Sequence, residues 1–464
     1  MSTRWNRMLE VLDRAETGPI CTEKDFDLKI LAPQIKELTK TYEIKYDPET
    51  PVPADDSLAD AVFNAALELY LKSGTLCISS QRRIIFGENE IKEALKSAPR
   101  QVAFGIGRDL RVMTNRRIGD SIPPFCLNSG GCSISEDVYV KVIQSIVQNP
   151  LADTASGGLG LDTVYGVKPK ANSPMEILAS IWNVILIKEA ARRAGRPGIG
   201  FHNVHGTGLT DASFIAAYRP EFGVGPGDGA AIASLAELKT DYNTLNKVTC
   251  FLQSDCHMGN IYVPLMGGYA GGAEGTAIVS LAHHLEGLVV HQADYSDLAP
   301  LHIRYSCTTA RETLWVASVV GQALSRNTHL LTASEAITAA GPCTEMVLLE
   351  TAAMSTVGTA SGININNTSA AKSQYLDRNT GMECKFGSEV GHATTGMSRN
   401  DANEFVRELL VKYEDKIEKP PLGRTFQECY DLKTVKPTAG HLEIYDRTRR
   451  QLEDLGLNFS VGRE

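Results

Sequence analysis

The stretch SPMEILASIWNVILIKEAARRAGRPGIGFH, residues 173–202, contains the unit from which the fold can be predicted. Its first four letters, SPME, form a capping box with proline at the first helical position, so a helix is predicted to begin here and to run to about Ala194. The letters GRPG at 195–198 end that helix. The apolar residues 198–202 that follow are predicted to form a strand.

The same alternation of short apolar strands and longer helices extends along the chain from about Pro123 to the C-terminal region. Such alternation is typical of parallel βα units and predicts an α/β fold. Seven strands are predicted, at 125–128, 152–156, 198–202, 248–254, 288–293, 329–332 and 362–366. An eighth is expected in the stretch 300–306.

The residues before this region have a different pattern. Residues 58–72 and 88–96 have apolar side chains at helical spacing, and 101–106 is predicted to be a strand. We therefore expect two parts: a helical N-terminal extension, residues 1–115, packed on a catalytic barrel, residues 116–464.

Composition excludes several classes of protein. The 464 residues carry a formal net charge of -9 without a basic tract, so nucleic acid is not an expected partner. No run of about 18 apolar residues suggests a membrane span. The N-terminal letters lack the apolar core of a signal peptide, and the ten cysteines include no CxxC pair. Reduced thiols and a cytoplasmic location are expected.

Polar residues near the predicted strand ends are candidates for a site, because side chains at the C-terminal ends of barrel strands converge on one pocket. These are Asn128, Ser156, His202, Asn203, Ser254, Asp255, Gln292 and Thr332, with Glu335 three residues beyond the last strand. Aromatic residues near these ends or in their loops could form a cage for a quaternary ammonium group, or could simply be core and rim. They are Phe201, Tyr218, Phe222, Tyr262, Tyr269 and Tyr295.

Two local motifs permit more than one interpretation. His202 and His205 form HxxH, and Asp255 and His257 could complete a zinc site, although the two histidines could equally make local hydrogen bonds. The letters MGGYAGG at 266–272 precede a predicted helix, where backbone N–H groups could hold an anion or admit a large flat ligand. The alternative is a tight turn that packs the helix on the barrel.

Several blocks, in order along nearly the whole chain, resemble the monomethylamine methyltransferase family. They are SISEDV at 133–138, NSPMEILA at 172–179, AGRPGIG at 194–200, GGYAGG at 267–272, HIR at 302–304, TARETL at 309–314, AGPCTEM at 340–346, Lys372, TGME at 380–383 and TFQECYD at 425–431. The resemblance implies a TIM (β/α)8 barrel, a homohexamer, and methyl transfer from a small methylated amine to the Co(I) of a corrinoid (cobalamin). That corrinoid would be carried by a separate cognate protein, so no tightly bound cofactor is expected.

The resemblance also implies site residues, some of which depart from the family pattern. His202 stands at the family's pyrrolysine position, Ala231 and Ile261 at two glutamates, Glu335 at a glutamine and Ile337 at a tyrosine. We expect His202 and Glu335 to be catalytic. The expected substrate-binding residues are Asn203, His205, Ala231, Asp255, His257, Ile261 and Ile337, and the expected corrinoid-binding residues are Gly267, Gly268, Tyr269 and Gly271.

These departures favour a pyrrolysine-independent methyltransferase of one-carbon metabolism. A quaternary amine leaves as a neutral tertiary amine and needs less activation than a primary amine, so it is the expected methyl donor. Glu335 would offset its charge, and His202 would hydrogen-bond the substrate or act as an acid. Two alternatives are a zinc-dependent methyltransferase for a methoxy or thioether donor, and an inactive paralogue that binds a ligand or a partner.

Overall fold

A computed structural model of the chain describes residues 3–204, 206–207 and 210–459. Eight parallel strands of these ranges form a barrel, which confirms the α/β fold predicted from the sequence. They are β1 (Cys126–Asn128), β2 (Thr154–Ser156), β3 (Gly200–Asn203), β4 (Gly229–Ala233), β5 (His257–Tyr262), β6 (Tyr295–Leu298), β7 (Thr332–Ile337) and β8 (Asn364–Ser369).

The ring of strands is closed by backbone hydrogen bonds. Strands β4, β5, β6, β7, β8 and β1 pair in that order, and β2 pairs with β3. The Asp153 N–H donates to the Cys126 carbonyl at 3.1 Å, which joins β1 to β2. The Val204 N–H donates to the Gly229 carbonyl at 3.3 Å, which joins β3 to β4. The strand order around the barrel is therefore the order along the chain.

A helix follows each strand, as expected of a TIM barrel. These helices are α5 (Tyr139–Val147), α6 (Pro174–Arg193), α7 (Asp211–Ala217), α8 (Tyr242–Phe251), α9 (Ala273–Glu286), α10 (Arg311–Asn327), α11 (Glu345–Ala360) and α12 (Gly381–Ala393). Two more helices, α13 (Arg399–Tyr413) and α14 (Ala439–Asp454), come after the last barrel unit. None of the helices in the described ranges has both the length and the apolar character needed to span a bilayer.

The residues before the barrel are mainly helical. They include α1 (Thr3–Thr17), α2 (Ala32–Thr41), α3 (Asp56–Ser73) and α4 (Glu88–Ser97), with the short helical pieces Glu23–Asp25 and Phe26–Leu31 leading into α2.

Short elements also occur along the whole chain. The strands are Thr75–Cys77, Arg82–Ile84, Ser133–Ile134, Gly160–Leu161, Lys239–Thr240, Leu265–Met266, Leu301–His302, Tyr430–Asp431 and Lys436–Pro437, and the helices are Gly107–Asp109, Pro220–Phe222, Gly287–His291, Ala371–Ser373, Glu414–Lys416 and Phe426–Cys429. The domain boundary at residue 115 remains a prediction.

A hairpin closes the N-terminal end of the barrel. Its strands, Gln101–Phe104 and Arg111–Thr114, pair antiparallel. The Phe104 ring packs against the rings of Phe125 and Tyr295, with centroids 5.8 and 5.3 Å away. These rings belong to a buried apolar cluster that also contains side chains of β1 and β7. The barrel is therefore filled with apolar side chains at this end.

The unit from which the fold was predicted has the expected structure. The Ser173 hydroxyl accepts from the Glu176 N–H at 3.4 Å, and the Glu176 carboxylate accepts from the Asn172 N–H at 2.7 Å. The helix ends at Arg193, two residues before Gly195, which has a φ of 74°. Left-handed backbone of this kind is favourable for glycine and ends a helix.

Two of the predicted strands are wrong. Residues 248–254 include the end of α8, whose N-cap Asp241 accepts from the Thr244 N–H at 2.7 Å. Residues 288–293 include most of the helical turn Gly287–His291. The strands β5 and β6 come after these helical segments, and β4 was missed. Leu301–His302, in the stretch of the expected eighth strand, pairs with Leu265–Met266 and forms a bridge to Cys307, outside the barrel sheet. A short apolar run fits a buried helix as well as a strand, so periodicity did not separate them.

Candidate active site

Alternation along β4 and β5 shows which side chains face the barrel interior. Ala230 and Ile232 of β4, and Met258 of β5, belong to the core between strands and helices. Their neighbours along each strand therefore point inward. These are Ala231 and Ala233 on β4, and Gly259 and Ile261 on β5. The predicted substrate-binding residues Ala231 and Ile261 thus lie on adjacent strands and face the interior.

The next three strands contribute polar side chains to the same interior. Leu298 and Ala336 belong to the outer core, so Asp297 of β6 and Glu335 of β7 face inward. In the strand register Asp297 lies opposite Ile261, and Glu335 lies opposite Asn366 of β8. Three consecutive strands therefore place a carboxyl, a carboxyl and an amide in the barrel. The sequence analysis had put Glu335 beyond a strand, whereas it lies within β7.

Asp297 and Glu335 form an acid pair whose ionisation is suppressed. Burial raises the pKa of Glu335 to about 7, and the Ser369 hydroxyl, which donates to Glu335 Oε1 at 3.2 Å, offsets part of that rise. Burial raises the pKa of Asp297 well above its ordinary range, and the negative charge of Glu335 raises it further. Near neutral pH we expect the pair to carry at most one negative charge, because burial and the repulsion between two neighbouring carboxylates both oppose ionisation.

Some polar atoms of this cluster have no hydrogen-bond partner. Among the residues described, Asp297 Oδ1, Asn366 Oδ1 and Asn366 Nδ2 are buried without a hydrogen bond. The Asn366 amide contacts Asp297 as a hydrogen-bonding neighbour and lowers the pKa of that carboxyl, but the contact does not give any of these three atoms a hydrogen bond of good geometry. An unpaired buried polar atom costs about 1–3 kcal/mol, so a native protein keeps such atoms where a ligand or water can bind.

His202 lies in the interior with both ring nitrogen atoms near hydroxyl groups. Nε2 is 3.2 Å from Ser129 Oγ, and Nδ1 is 2.9 Å from Thr154 Oγ1. The residue is only 1% exposed, and burial lowers its pKa to about 3. The ring is therefore neutral at physiological pH, and the predicted option that His202 acts as an acid does not fit. The Tyr295 hydroxyl, which extends from the apolar cluster near the hairpin, donates to the His202 carbonyl.

The C-terminal end of the barrel is open to solvent. Ala231, Ile261 and Ile337 are partly exposed, and Ala233 is exposed, although all four face the barrel. Asn203, at the end of β3, is also partly exposed. Glu335, by contrast, is only 7% exposed. We name the set Ala231, Ala233, Ile261 and Ile337 the apolar rim; the acid pair is more buried than this rim.

The predicted approach of Asp255 and His257 to His202 is wrong. Asp255 lies in the loop before β5 and lines an outer cavity of about 830 Å³, together with Tyr218 of the segment after α7 and Phe251 of α8. His257 begins β5, and its Nε2 is 2.9 Å from the Ala103 carbonyl of the N-terminal hairpin. Both residues precede the strand that the sequence analysis expected them to follow. They therefore lie at the end of the barrel opposite the apolar rim.

The predicted zinc site accordingly loses two of its four residues. His205, a third member of that set, lies outside the described residues. Within the part of the chain that the structure describes, no group of three or more histidine, cysteine, aspartate or glutamate side chains is arranged to hold a metal ion.

The predicted aromatic cage does not form from the six residues proposed for it. Phe201 faces the helices and lies under Lys188 Nζ at 5.0 Å. Tyr218 packs on Phe251, and Tyr262 stacks on His283 of α9. Tyr295 is inside the barrel, but in the apolar cluster near the hairpin. Phe222 lies in the turn Pro220–Phe222, and Tyr269 is on the surface.

The glycine-rich segment precedes α9, as predicted. Gly267 and Gly271 have φ values of 96° and 76°, and the Gly267 N–H donates to the Gly271 carbonyl at 2.8 Å. The segment follows β5 on the C-terminal side of the barrel, and Tyr269 at its tip is 45% exposed. This geometry is a tight turn beside the barrel mouth, and a role of Gly267, Gly268, Tyr269 and Gly271 in corrinoid binding remains a prediction.

The residues that the sequence analysis missed are Asp297, Asn366, Ser369, Ser129 and Thr154. Asp297 was missed because the strand that corresponds to β6 was predicted at 288–293, whereas β6 is Tyr295–Leu298. With the strand in its true position, alternation would have put Asp297 on the inward face. Ser129 and Thr154 are ordinary strand-end residues, and only their contacts with His202 distinguish them.

Comparisons with known proteins agree with the fold and with the sequence blocks. A family model described as "Monomethylamine methyltransferase MtmB" matches residues 7–457. Monomethylamine methyltransferase MtmB3 of Methanosarcina barkeri is 36% identical over 449 residues, which cover 96% of this chain and 97% of that protein. The corresponding MtmB of Methanosarcina mazei is 35% identical with the same coverage.

Comparison with solved structures agrees with the sequence comparisons. The crystal structure of the Methanosarcina barkeri monomethylamine methyltransferase aligns with a TM-score of 0.94 at 34% sequence identity, and covers 97% of this chain and 98% of that one. A crystal structure described as a hydroxylamine complex of MtmB aligns equally well. The chain therefore belongs to the monomethylamine methyltransferase MtmB family, a family of methyltransferases with a TIM-like barrel.

Proposed function

We propose that this protein transfers a methyl group from a quaternary ammonium compound to the Co(I) of a corrinoid that a separate protein carries. We also propose that it does so without pyrrolysine, with His202 in the position of that residue. One observation is the main support: the buried acid pair Asp297 and Glu335 faces the same barrel interior as the more exposed apolar rim, with Asp297 opposite Ile261 in the strand register.

The charge of the site suits a cation. A bound cation would stabilise one ionised carboxylate of the acid pair, so that the two charges compensate in a part of the barrel where an unpaired charge would be costly. A primary ammonium ion would also bring three N–H groups that need acceptors. The acid pair and Asn366 Oδ1 can accept from such groups, but the side chains of Ala231, Ile261 and Ile337 offer no acceptor and can pack against the methyl groups of a quaternary nitrogen.

The chemistry also favours a donor that needs no acid. The corrinoid supplies a strongly nucleophilic cobalt, which takes up the methyl carbon. As the carbon–nitrogen bond breaks, its electron pair remains on nitrogen, so a quaternary ammonium departs as a neutral tertiary amine without a proton. The role of the protein is then to hold the methyl carbon toward the mouth, to exclude water and to compensate the charge. A neutral His202 is compatible with this role.

The mouth has the shape that a large flat acceptor requires. The rim side chains are no larger than isoleucine, and the glycine-rich segment with exposed Tyr269 lies at the same end of the barrel. We propose that the partner protein brings its corrinoid to this end and that Gly267, Gly268, Tyr269 and Gly271 contact it.

The proposal is tested by supplying reduced cobalamin to the purified protein. Cob(I)alamin is offered with tetramethylammonium, trimethylamine, dimethylamine or monomethylamine, and methylcobalamin formation is followed by absorbance. We expect turnover with tetramethylammonium and none with monomethylamine. The opposite preference would overturn the choice of a quaternary donor.

Variants make this test specific to the barrel. Glu335→Gln should lower turnover, whereas Asp255→Asn, which changes an acid outside the barrel, should not. If no donor is demethylated, either with cob(I)alamin or with a corrinoid protein encoded beside this chain, the proposed reaction is excluded and the inactive paralogue is the better interpretation.

A further inference from the structure

Three buried polar atoms of the barrel interior have hydrogen-bonding capacity that the protein does not use. They are Asp297 Oδ1, Asn366 Oδ1 and Asn366 Nδ2; none of them makes a hydrogen bond of good geometry with a described residue, although the Asn366 amide is close enough to Asp297 to lower the pKa of that carboxyl. Both residues are only 1% exposed. Glu335 lies between them in strand order, opposite Asn366 in the register.

The neighbouring asparagines of β8 use their amides in hydrogen bonds, in contrast to Asn366. Asn364 accepts from the Phe125 N–H at 2.9 Å and donates to the Thr114 carbonyl at 3.0 Å. Asn367, on the opposite face of the strand, accepts from the Ser355 hydroxyl at 3.1 Å. Of these three asparagines, Asn366 is the one that faces the acid pair, and it is the one with both amide atoms unpaired. The amide of Asn366, whose atoms lack good hydrogen bonds, therefore lies at the candidate substrate site.

The kinds of unpaired atoms limit which ligand group can satisfy them. The two oxygen atoms need a donor, and the amide nitrogen needs an acceptor. A quaternary nitrogen has no N–H and cannot pair with any of the three. A carboxylate accepts but does not donate, and the negative charge of the acid pair would repel it. A hydroxyl group is uncharged and both donates and accepts, so it can pair with Asn366 and Asp297 together.

We infer that the substrate is a quaternary ammonium compound that also carries a hydroxyl group, and that Asn366 and Asp297 bind this hydroxyl. The inference rests on the proposed function, because it takes the methylated cation as given. The ammonium group lies toward Glu335 and Ile261, and the hydroxyl lies toward Asn366 and Asp297. Neighbouring strands are about 4.8 Å apart, so the hydroxyl is expected two or three bonds from the nitrogen.

Binding measured without any corrinoid tests the inference separately from catalysis. Calorimetry with the full chain compares (2-hydroxyethyl)trimethylammonium with propyltrimethylammonium, in which a methyl group replaces the hydroxyl. We expect at least a tenfold lower Kd for the hydroxyl compound. Carboxymethyl-trimethylammonium should bind more weakly than either.

Variants assign the preference to its residue. Asn366→Ala should bring the two Kd values to within about twofold, since the group that recognises the hydroxyl is gone. Asn367→Ala is the matched control: the same residue type on the opposite face of the same strand, which should keep the tenfold ratio. If Asn366→Ala fails to fold, Asp297→Asn should reduce the ratio in the same direction.

Equal affinity of the native protein for the two compounds would overturn the inference, whatever the variants do. So would tighter binding of the carboxymethyl compound, or an unchanged ratio in Asn366→Ala. The two proposals fail separately. Selective binding without methyl transfer would exclude the reaction only, and transfer from tetramethylammonium without any preference for a hydroxyl would exclude the inference only.

Discussion

The Nδ1 atom of His202 lies 2.9 Å from the hydroxyl oxygen of Thr154, the first residue of the neighbouring strand β2. The Ser129 hydroxyl is 3.2 Å from the other ring nitrogen. Because a hydroxyl can donate or accept, this pair holds the imidazole in one orientation in either neutral tautomer. His202 is therefore suited to a fixed, uncharged role in the barrel interior rather than to moving protons.

Replacing His202 by alanine should lower turnover at least tenfold. The change leaves a cavity and two unpaired hydroxyl groups, which together should also reduce the free energy of unfolding by about 2–4 kcal/mol. The assay is methylcobalamin formation per folded molecule. His257→Ala is the control, because that histidine contacts the N-terminal hairpin; it should affect stability but not turnover. Equal turnover of His202→Ala and the native protein would remove His202 from the mechanism.

The burial of His202 should make the protein less stable in acid. The pKa of His202 is lowered from 6.5 to about 3, so below pH 6.5 the unfolded chain takes up a proton that the folded chain does not. Stability from this group is present above pH 6.5 and is lost as the pH falls toward 3. At pH 5 the loss should be about 2 kcal/mol. Urea unfolding at pH 7 and 5 should show a smaller loss for His202→Gln; an identical loss would mean that His202 is not buried neutral.

Glu335 should make the protein less stable as the pH rises, which is the opposite of the effect of His202. Its pKa is raised to about 7, so the folded state is penalised as the pH rises from about 4.5 through 7. Glu335→Gln should therefore gain up to about 3 kcal/mol over the native protein between pH 5 and pH 8, while losing affinity for tetramethylammonium. Urea unfolding and calorimetry measure the two effects.

Glu350→Gln is a matched control for that experiment. Burial also raises the pKa of Glu350 to about 7, but its carboxylate accepts from the Thr309 hydroxyl and from the N–H groups of Ala339 and Ala340. Its substitution should alter the pH dependence of stability and leave cation binding unchanged. If both variants lost the cation equally, the acid pair would not be the binding site.

The fold could be predicted where local chemistry marks the ends of elements. The capping box at Ser173 and the left-handed turn at Gly195 delimited α6 and positioned β3, because both are short-range effects of side chain and backbone. The end of α8 and the helical turn Gly287–His291 could not be separated from strands in this way. Their apolar runs are packed on the barrel, and a short buried apolar run has the same sequence pattern in a helix as in a strand.

The site was predictable only as far as the strands were correct. His202 and Glu335 were assigned to the interior, and both face it. One wrong strand led to Asp255 and His257 being predicted at the C-terminal end of the barrel, whereas they lie at the N-terminal end. Another wrong strand is the reason that Asp297 was missed. The unpaired atoms of Asn366 had no sequence signal, because hydrogen-bond satisfaction depends on neighbours that are distant along the chain.

Removing metal ions should not change activity. With Asp255 and His257 at the end of the barrel opposite the rim, the proposed zinc residues do not surround His202. Dialysis against a chelator should leave methyl transfer from tetramethylammonium within about twofold of the untreated protein, and elemental analysis should find less than one zinc per chain. A stoichiometric zinc whose removal abolishes turnover would restore the metal mechanism.

Tyr269→Ala should separate acceptor docking from substrate binding. The side chain is 45% exposed at the tip of the glycine-rich segment, and Lys239 Nζ lies 5.7 Å from its ring, so its removal disturbs little of the core. If the partner's corrinoid docks here, the lost aromatic contact should raise the KM for the corrinoid protein about tenfold and leave the Kd for tetramethylammonium unchanged. Tyr165→Ala is the matched control, since Tyr165 is also exposed and lies in the segment between β2 and α6; it should change neither constant. A Tyr269→Ala variant with a normal KM for the corrinoid protein would mean that the acceptor approaches over other loops.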